Sequence, residues 1–328
     1  MIEWIEFESP KALRGFPMGD SPKREFPVYL PPGFSTDQKG LPTVYFLSGY
    51  GARGSVYLSD DSAFGRPLQA RLDAEISAGK LPPFIGVFPD CTSRLGHSQY
   101  INSQALGNYM DYLCDELVPL IDETFAADPT RRAVVGHSSG GFGALVTAML
   151  RPGVFHGVSA SASDSFFENL FPATINRTLI EVTRAGGVEA FLTTALTRPS
   201  GLGSNEFEAV LTLAMAPCYA PEPAKGPLYG ELFFDLETGE IHPEFWKRYL
   251  AWDPIHLVDK HASALKKLKV LSLECGMQDE HGLQWGHRQI ARKLHAQGVE
   301  HKLIEYPGGH RKQSWRLEQR VQRVLEKL

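Results

Sequence analysis

Runs of apolar and β-branched residues alternate along this chain with stretches whose apolar residues recur at helical spacing. The runs are short, are bounded by Pro or Gly, and predict strands at residues 25–30, 43–48, 83–89, 132–136, 154–160, 269–275 and 302–306. The stretches with helical spacing predict helices at residues 107–125, 141–150, 286–297 and 311–328. This alternation predicts an α/β fold, in which a mostly parallel sheet is covered by helices on both faces.

The final predicted helix has two different faces. One is apolar and is expected to pack against the sheet: Leu317, Val321, Val324 and Leu328. The basic residues are predicted to form a solvated outer face: Arg316, Arg320, Arg323 and Lys327.

Residues 165–262 interrupt the alternation of strands and helices. The segment is rich in Phe, Leu, Pro and Gly and shows no clean strand–helix unit. We interpret it as a cap-like insertion, largely irregular, over the ligand-binding end of the sheet and within a single domain of residues 1–328. Its aromatic residues fit either a substrate pocket or a core of the segment's own, and the core is favoured for most of them: Phe166, Phe167, Phe171, Trp246 and Trp252.

Composition excludes some classes of protein and leaves others open. The chain has 328 residues, of which 43% are hydrophobic and 22% charged, as in an ordinary globular protein. A formal charge of −5 argues against a nucleic-acid partner, because such proteins normally carry a basic surplus. The four cysteines are far apart and are expected to be free. Since neither a signal peptide nor a membrane span is evident, we expect a cytoplasmic protein without a membrane partner.

Gly136-His137-Ser138-Ser139-Gly140 matches the nucleophile elbow G-x-S-x-G. In that motif the serine occupies a strained turn, and glycines on either side leave room for the backbone to fold tightly. The pattern alone is weak, but here a predicted strand precedes it and a predicted helix follows it. We therefore interpret Ser138 as a nucleophile, against the alternative of a Gly/Ser-rich turn without chemistry.

A serine nucleophile needs a base, and the base needs an orienting acid. His310 follows a predicted strand, where ligands bind in open parallel sheets, and is the predicted base. The alternative is a histidine that only caps the last helix. Asp279 lies in the loop after another strand and is the predicted acid, ahead of Glu280 and of Glu274 within the strand.

No metal site is predicted near these residues. His281 and His287 lie six residues apart and share no helical face, so metal binding is disfavoured.

Two backbone N–H groups are expected to stabilise the oxyanion, those of Ser139 and Tyr50. The Tyr50 loop also contains a dinucleotide-type fingerprint, made of Gly49, Gly51 and Gly54 with Asp73 some way beyond. Such a fingerprint should open a helix directly, whereas Ser55 to Asp61 is a poor helix start. A nicotinamide cofactor is therefore disfavoured.

These motifs resemble those of the putative-esterase group of α/β-hydrolases, which includes esterase D (S-formylglutathione hydrolase), feruloyl esterases, enterochelin esterases and mycolyltransferases. The likeness covers residues 25–162 and 265–328. It is carried by residues 47–49, 87–90, 107–112, 116–122, 136–143, 276–279 and 308–310, followed by Trp315.

The resemblance implies an α/β-hydrolase fold and a triad without cofactor, with its roles on Ser138, Asp279 and His310. This chain departs from the group at Ser48, where members often carry His or Asp. Substrate contacts are predicted for Gly49, His137 and Trp315.

The expected activity is that of a serine carboxylic ester hydrolase, which forms an acyl-enzyme with small acyl or aryl esters. A thioesterase of the S-formylglutathione hydrolase type and an acyltransferase are the alternatives, with a nicotinamide-dependent oxidoreductase as a distant one. The expected partner is a small-molecule ester, and a homo-oligomer is left open.

Overall fold

A computed structural model describes residues 1–35, 37–59 and 66–328. The strands are β1 (Ile2–Glu8), β2 (Lys23–Tyr29), β3 (Thr43–Leu47), β4 (Ile85–Val87), β5 (Asn102–Ser103), β6 (Gly107–Asn108), β7 (Arg132–His137), β8 (Gly157–Ser161), β9 (Val270–Gly276) and β10 (Lys302–Tyr306). The α-helices are α1 (Leu68–Ser77), α2 (Tyr109–Asp111), α3 (Val118–Thr124), α4 (Ser139–Leu150), α5 (Phe167–Leu170), α6 (Ile175–Ala185), α7 (Val188–Thr197), α8 (Ser204–Tyr219), α9 (Pro243–Leu250), α10 (Pro254–Leu265), α11 (Leu283–Ala296) and α12 (Leu317–Leu325). A π-helical turn, Tyr112–Leu117, joins α2 to α3, and 3₁₀ turns lie at Gly54–Leu58, Pro172–Thr174 and Ser314–Arg316.

The central sheet has eight strands in the order β1-β2-β4-β3-β7-β8-β9-β10. The strands from β4 to β10 in that order run parallel, whereas β1 and β2 pair antiparallel to each other and β2 pairs antiparallel to β4. Side chains alternate between the two faces, as in any strand. Val44 and Val135 pack on the side of α1 and α12, whereas Tyr45 and Val134 pack on the side of α4. This arrangement confirms the predicted α/β-hydrolase fold.

Strand β1, helix α1 and the short strands β5 and β6 escaped prediction. Strand β1 lies at an edge and has no fully buried residue, so its sequence shows no apolar run. Helix α1 buries only Leu68 and Leu72, which is a thin apolar stripe. The last helix is also shorter than expected, because a loop and a 3₁₀ turn occupy residues 311–316.

Residues 165–262 are mainly helical, and the prediction of irregular structure was wrong. The segment contains α5 to α9 and nearly all of α10. Pro243 and Pro254 lie in the first turns of α9 and α10, where proline costs no backbone hydrogen bond. Other prolines, such as Pro221 and Pro227, fall in the connection between α8 and α9. Pro217 lies inside α8, near its end, so the prolines of this segment did not exclude helices.

The predicted solvated basic face of the last helix was also wrong. The buried carboxylate of Glu274, in β9, accepts hydrogen bonds from Arg316 Nε at 2.6 Å and from Arg320 Nε at 3.1 Å, and Arg323 also pairs with it. Arg320 is only 3% exposed, and Lys327 is exposed as expected. We call Glu274 and these arginines the glutamate–arginine cluster.

Burial of Glu274 by itself raises the pKa of its carboxyl, but the arginines, Arg320 foremost, outweigh burial and leave the pKa below the ordinary value of 4.5. A carboxyl whose pKa is lowered by folding stabilises the fold above its unfolded-state pKa. That stabilisation is lost as the pH falls through the folded-state pKa. The cluster therefore holds α12 against β9 at neutral pH.

Across the described residues, none of the helices combines the length and the apolar character that crossing a membrane requires.

Glu274→Gln should lower the free energy of unfolding by about 3–5 kcal/mol, because buried guanidinium groups lose their counter-charge. Urea unfolding at neutral pH measures this loss. Glu305→Gln on the neighbouring strand is the matched control. It removes a partly exposed pair with Arg288 and should cost less than about 1 kcal/mol. Equal losses in the two variants would contradict a structural role for the cluster.

Candidate active site

Ser138 lies in a sharp turn between β7 and α4. Its backbone has φ 59° and ψ −126°, a conformation that residues other than glycine rarely adopt. Its N–H donates to the carbonyl of Ser161 in β8 at 2.9 Å. A Cβ on Gly136 would lie 2.0 Å from the carbonyl oxygen of Gly140, and one on Gly140 would lie 2.0 Å from that of Leu47. Only glycine fits these two positions, so the local sequence forces the turn that presents the Ser138 hydroxyl.

The structure brings Ser138, His310 and Asp279 together, although they are far apart in the sequence. His310 Nε2 lies 3.1 Å from Ser138 Oγ, and His310 Nδ1 lies 2.8 Å from Asp279 Oδ2. Each of the three follows the carboxyl end of a parallel strand, namely β7, β9 or β10. The hydrogen bonds are those through which an imidazole takes the proton of a serine hydroxyl while a carboxylate holds its tautomer.

Asp279 is buried and well supplied with hydrogen-bond donors. Its Oδ1 accepts the N–H of His281 at 2.9 Å, in addition to the bond between Oδ2 and His310. Burial by itself raises the pKa of this carboxyl, but the hydrogen bond to His310 and the nearby donors outweigh burial, and the pKa is lowered. Asp279 is therefore ionised at neutral pH, as an acceptor for His310 must be.

Glu280, the rival for the acid role, has a different place. Its carboxylate accepts the backbone N–H of His310 at 2.6 Å and lies against Gly309. Glu280 therefore holds the loop that carries His310 and makes no hydrogen bond to the imidazole. Glu274, the other rival, belongs to the glutamate–arginine cluster.

The predicted oxyanion loop lies against Ser138. The position of a Cβ on Gly49 would be 3.4 Å from Ser138 Cβ and 4.0 Å from Ser138 Oγ. The loop is held by Ser48 Oγ, which donates to the carbonyl of Ala52 at 2.7 Å, and by the Tyr100 hydroxyl, which donates to the carbonyl of Ser48 at 2.9 Å. Both predicted amide donors thus belong to residues that adjoin the nucleophile, Tyr50 on this loop and Ser139 at the start of α4. Their role as oxyanion donors stays a prediction.

A family model described as "Putative esterase" matches residues 21–319, which is most of the chain. The chain belongs to the putative esterase family. This confirms the family resemblance that the motifs indicated.

Among curated relatives, the S-formylglutathione hydrolase of Bos taurus is 30% identical over 157 residues, which is 43% of this chain and 51% of that protein. An uncharacterized protein of Bacillus subtilis, YbbA, is 23% identical over 159 residues, which is 44% of this chain and 59% of that protein. The chain spans about half the length of the curated relatives it matches.

Solved structures show the same fold. A ferulic acid esterase matches with a TM-score of 0.64 at 16% identity, covering 100% of this chain and 98% of that one. An S-formylglutathione hydrolase from Staphylococcus aureus matches with a TM-score of 0.58 at 17% identity, covering 99% of this chain and 97% of that one. At these identities the likeness establishes the fold alone.

Two cavities meet at Ser138 in this member of the esterase family. The first, of about 700 Å³, lies between the segment 164–177 and the start of α11, and Asp164, Phe171, Gln284 and Trp285 line it. The second, of about 590 Å³, lies between the loop after β3 and the His310 loop. It is lined by Tyr50, Phe207, His310, Arg311 and Lys312, among others. The two cavities offer separate space to the two halves of an ester.

The segment 165–262 supplies walls to both cavities. Arg177 in α6 lines the first cavity, Phe207 lines the second, and Glu208 and Leu211 line both. The segment therefore lies over Ser138, which supports the interpretation as a cap.

Most of the aromatic residues named for this segment form its core, as favoured above. Phe167 packs against Phe142, Phe171 and Tyr219 and is fully buried, and Trp246 contacts Phe233. Phe171 also lines the first cavity. Phe166 and Trp252 are partly buried against the same core and line neither cavity. Phe207, which sequence reasoning missed, is an aromatic residue of the segment 165–262 that lines the second cavity.

Of the three residues predicted to contact substrate, two line a cavity beside Ser138 and one does not. Gly49 and His137 line the second cavity, and the rings of His137 and His310 lie 4.7 Å apart. Burial, aided by the charge of His310, lowers the pKa of His137 well below its ordinary value, so its imidazole is neutral. Trp315 lies in the 3₁₀ turn Ser314–Arg316, lines neither cavity and is 56% exposed. The part of Trp315 in substrate binding therefore stays a prediction to which neither cavity adds support.

The glycine fingerprint does not build a dinucleotide site. Gly54 begins a 3₁₀ turn and not an α-helix, and a Cβ there would lie 2.4 Å from the carbonyl of Phe88, so this glycine serves close packing. Asp73 accepts a hydrogen bond from the Tyr29 hydroxyl at 2.7 Å.

The contacts of His281 and His287 add no support for a metal site. His287 is buried, and its Nε2 accepts the N–H of Ser163 at 2.8 Å. The ring of His281 lies 4.8 Å from that of His310 and lines both cavities. Cys91, Cys114, Cys218 and Cys275 are free and buried, as expected.

Two further residues of the first cavity were missed, Asp164 and Gln284. Asp164 follows β8 as Asp279 follows β9, so its position beyond a parallel strand was a usable signal. Gln284 lies in the first turn of α11, and nothing in the sequence distinguishes it from other glutamines.

The strained backbone of Ser138 can be tested by comparing two substitutions. Ser138→Gly should be more stable than Ser138→Ala by about 1 kcal/mol, because glycine adopts this conformation without a Cβ clash. Thermal or urea unfolding measures the difference. At exposed Ser263 in α10 the order should reverse, since glycine is about 1 kcal/mol worse than alanine inside a helix. The same order at both positions would contradict strain at Ser138.

Proposed function

We propose that this protein is a serine carboxylic ester hydrolase that works through an acyl-enzyme. One observation carries the proposal, the hydrogen-bonded chain Ser138–His310–Asp279 on a strained elbow. In an isolated serine the hydroxyl is a poor nucleophile, and this chain of contacts supplies the base and the orienting acid that it needs. Membership of the esterase family supports the same activity.

The cycle begins with attack of Ser138 Oγ on the ester carbonyl, while His310 Nε2 takes the hydroxyl proton. The N–H groups of Tyr50 and Ser139 are the proposed donors to the negative oxygen that develops. His310 then gives its proton to the leaving alcohol. Water, deprotonated by the same imidazole, attacks the acyl-enzyme and regenerates Ser138.

The geometry also suggests which half of the ester enters which cavity. The leaving group must lie close to His310, because His310 protonates it. His310 lines the second cavity and not the first. We therefore place the alcohol in the second cavity, beside Arg311 and Lys312, and the acyl group in the first.

A thioesterase is the second candidate, and a specific observation favours it. Curated relatives that match about half of their length are S-formylglutathione hydrolases. The same triad can expel a thiol instead of an alcohol. Comparing para-nitrophenyl acetate with S-formylglutathione at equal enzyme concentration distinguishes the two candidates by their kcat/KM.

Asp279→Asn should lower kcat for para-nitrophenyl acetate by about 10⁴-fold, because His310 loses the acceptor that fixes its tautomer. Ser138→Ala should abolish turnover above the spontaneous rate. The matched control is Glu280→Gln, which keeps an oxygen acceptor for the backbone N–H of His310 and should cost less than about tenfold, as expected for an uncharged replacement of one peripheral hydrogen bond. A larger loss in Glu280→Gln than in Asp279→Asn would show that the acid has been assigned to the wrong residue.

A further inference from the structure

Asp164 is a buried carboxylate close to the nucleophile that has no role in the triad. It follows β8, is 9% exposed, and lines the first cavity but not the second. The Ser139 hydroxyl donates to Asp164 Oδ2 at 2.8 Å. Because adjacent Cα atoms are about 3.8 Å apart, this bond places Asp164 Oδ2 within about 9 Å of the Ser138 Cα. A short acyl chain on Ser138 can therefore reach this carboxylate.

The other oxygen of Asp164 has capacity to bind a ligand. A carboxylate has about four lone-pair sites, and the Ser139 hydroxyl occupies one of those on Oδ2. Oδ1 accepts no hydrogen bond from the described residues, yet it is not among the unpaired atoms that are shielded from solvent. Oδ1 is therefore accessible, and the cavity that Asp164 lines is the first one.

The charged groups of the first cavity leave a surplus of negative charge. Arg177, the cation on its wall, is paired with Glu208, and the triad aspartate is paired with its histidine. His281 is neutral, because burial lowers the pKa of its imidazole. The two remaining carboxylates on the wall, Asp164 and Glu280, form no salt bridge within the described ranges.

Burial makes the unpaired charge of Asp164 costly. It raises the pKa of the carboxyl to about 6, and the hydrogen bond from the Ser139 hydroxyl is the foremost contact that opposes this rise. The carboxyl is thus mainly ionised at neutral pH, although it lacks the counter-charge that buried ions normally have. A bound cation would compensate for the lost hydration, whereas an anionic acyl group would be repelled.

An amine on the acyl group fits this cavity better than a metal ion does. In the described part of the chain, no group of three metal-type ligands includes Asp164. Leu170, Phe171 and Leu211 make part of the wall apolar, which suits the carbon atoms between a carbonyl and an amine. A protonated amine donates hydrogen bonds to a carboxylate and also supplies the opposite charge.

We propose that Asp164 forms an acyl subsite that selects esters whose acyl group carries a protonated amine. The subsite rests on the proposed ester hydrolase function and on the placement of the acyl group in the first cavity, and it names a substrate class for that function. Asp164 acts there as a specificity determinant, and the triad carries out the reaction.

The test uses pairs of para-nitrophenyl esters in which a protonated nitrogen is replaced by an uncharged carbon. One pair is the isonipecotate and the cyclohexanecarboxylate, and a longer pair is the para-(aminomethyl)benzoate and the para-ethylbenzoate. Each kcat/KM is divided by the rate of spontaneous hydrolysis of the same ester, which corrects for intrinsic reactivity. In at least one pair the wild type should favour the amine ester by about tenfold or more, the size of one charge-assisted hydrogen bond.

Asp164→Asn should reduce this preference at least several-fold, because it keeps the shape of the side chain and removes the charge. Asp164→Ser removes the carboxylate with less bulk and should give the same loss. The ratio is taken within each variant, so a change in the amount of folded enzyme cancels. Asp73→Asn is the matched control, since Asp73 also accepts a hydroxyl, that of Tyr29, and lines neither cavity. The preference should persist in this control.

Absence of a preference for the amine ester in both pairs would overturn the subsite. Persistence of the preference in the Asp164 variants, or an equal loss in Asp73→Asn, would overturn it as well. Absence of any wild-type hydrolysis of para-nitrophenyl acetate would instead overturn the proposed function.

Discussion

The tight crossing of β7, α4 and the loop after β3 is the constraint on which the site depends. Carbonyl oxygens occupy the space that a Cβ would need at Gly136 and Gly140, so the backbone must turn sharply between these residues. This turn holds Ser138 in a strained backbone conformation, which costs about 1–3 kcal/mol of stability. The same crossing brings the Gly49 loop against Ser138 and starts α4 at Ser139. The nucleophile and both predicted oxyanion donors thus follow from one steric arrangement.

The acid and the base depend on a second constraint, which is electrostatic. Asp279 follows β9 and His310 follows β10, and these strands pair in parallel with Tyr306 opposite Gly276. The glutamate–arginine cluster ties β9 to the helix that follows His310. The loop of His310 is therefore anchored on both sides, by β10 before it and by α12 after it. This anchoring explains how an imidazole can meet a serine that lies 172 residues away in the chain.

Local rules in the sequence predicted the central strands, the elbow, and Asp279 and His310. Each of these rests on steric demands or on the position of a residue beyond a parallel strand. Prediction failed where the burial of a side chain depends on a contact that forms only in the folded protein. Arg320 looks solvent-exposed on a helical wheel and is buried only because Glu274 lies opposite it. Trp315 follows Gly308-Gly309-His310, and no local pattern indicated the 3₁₀ turn in which it is 56% exposed.

The central claim is that Ser138 is the activated nucleophile of this site, and covalent labelling tests it most directly. A fluorophosphonate reacts with a serine hydroxyl only where a base activates it, so the folded protein should gain one adduct and the urea-denatured protein none. Peptide mass spectrometry of the treated protein should place that adduct on Ser138. An adduct on another residue, or no adduct on the folded protein, would contradict the account.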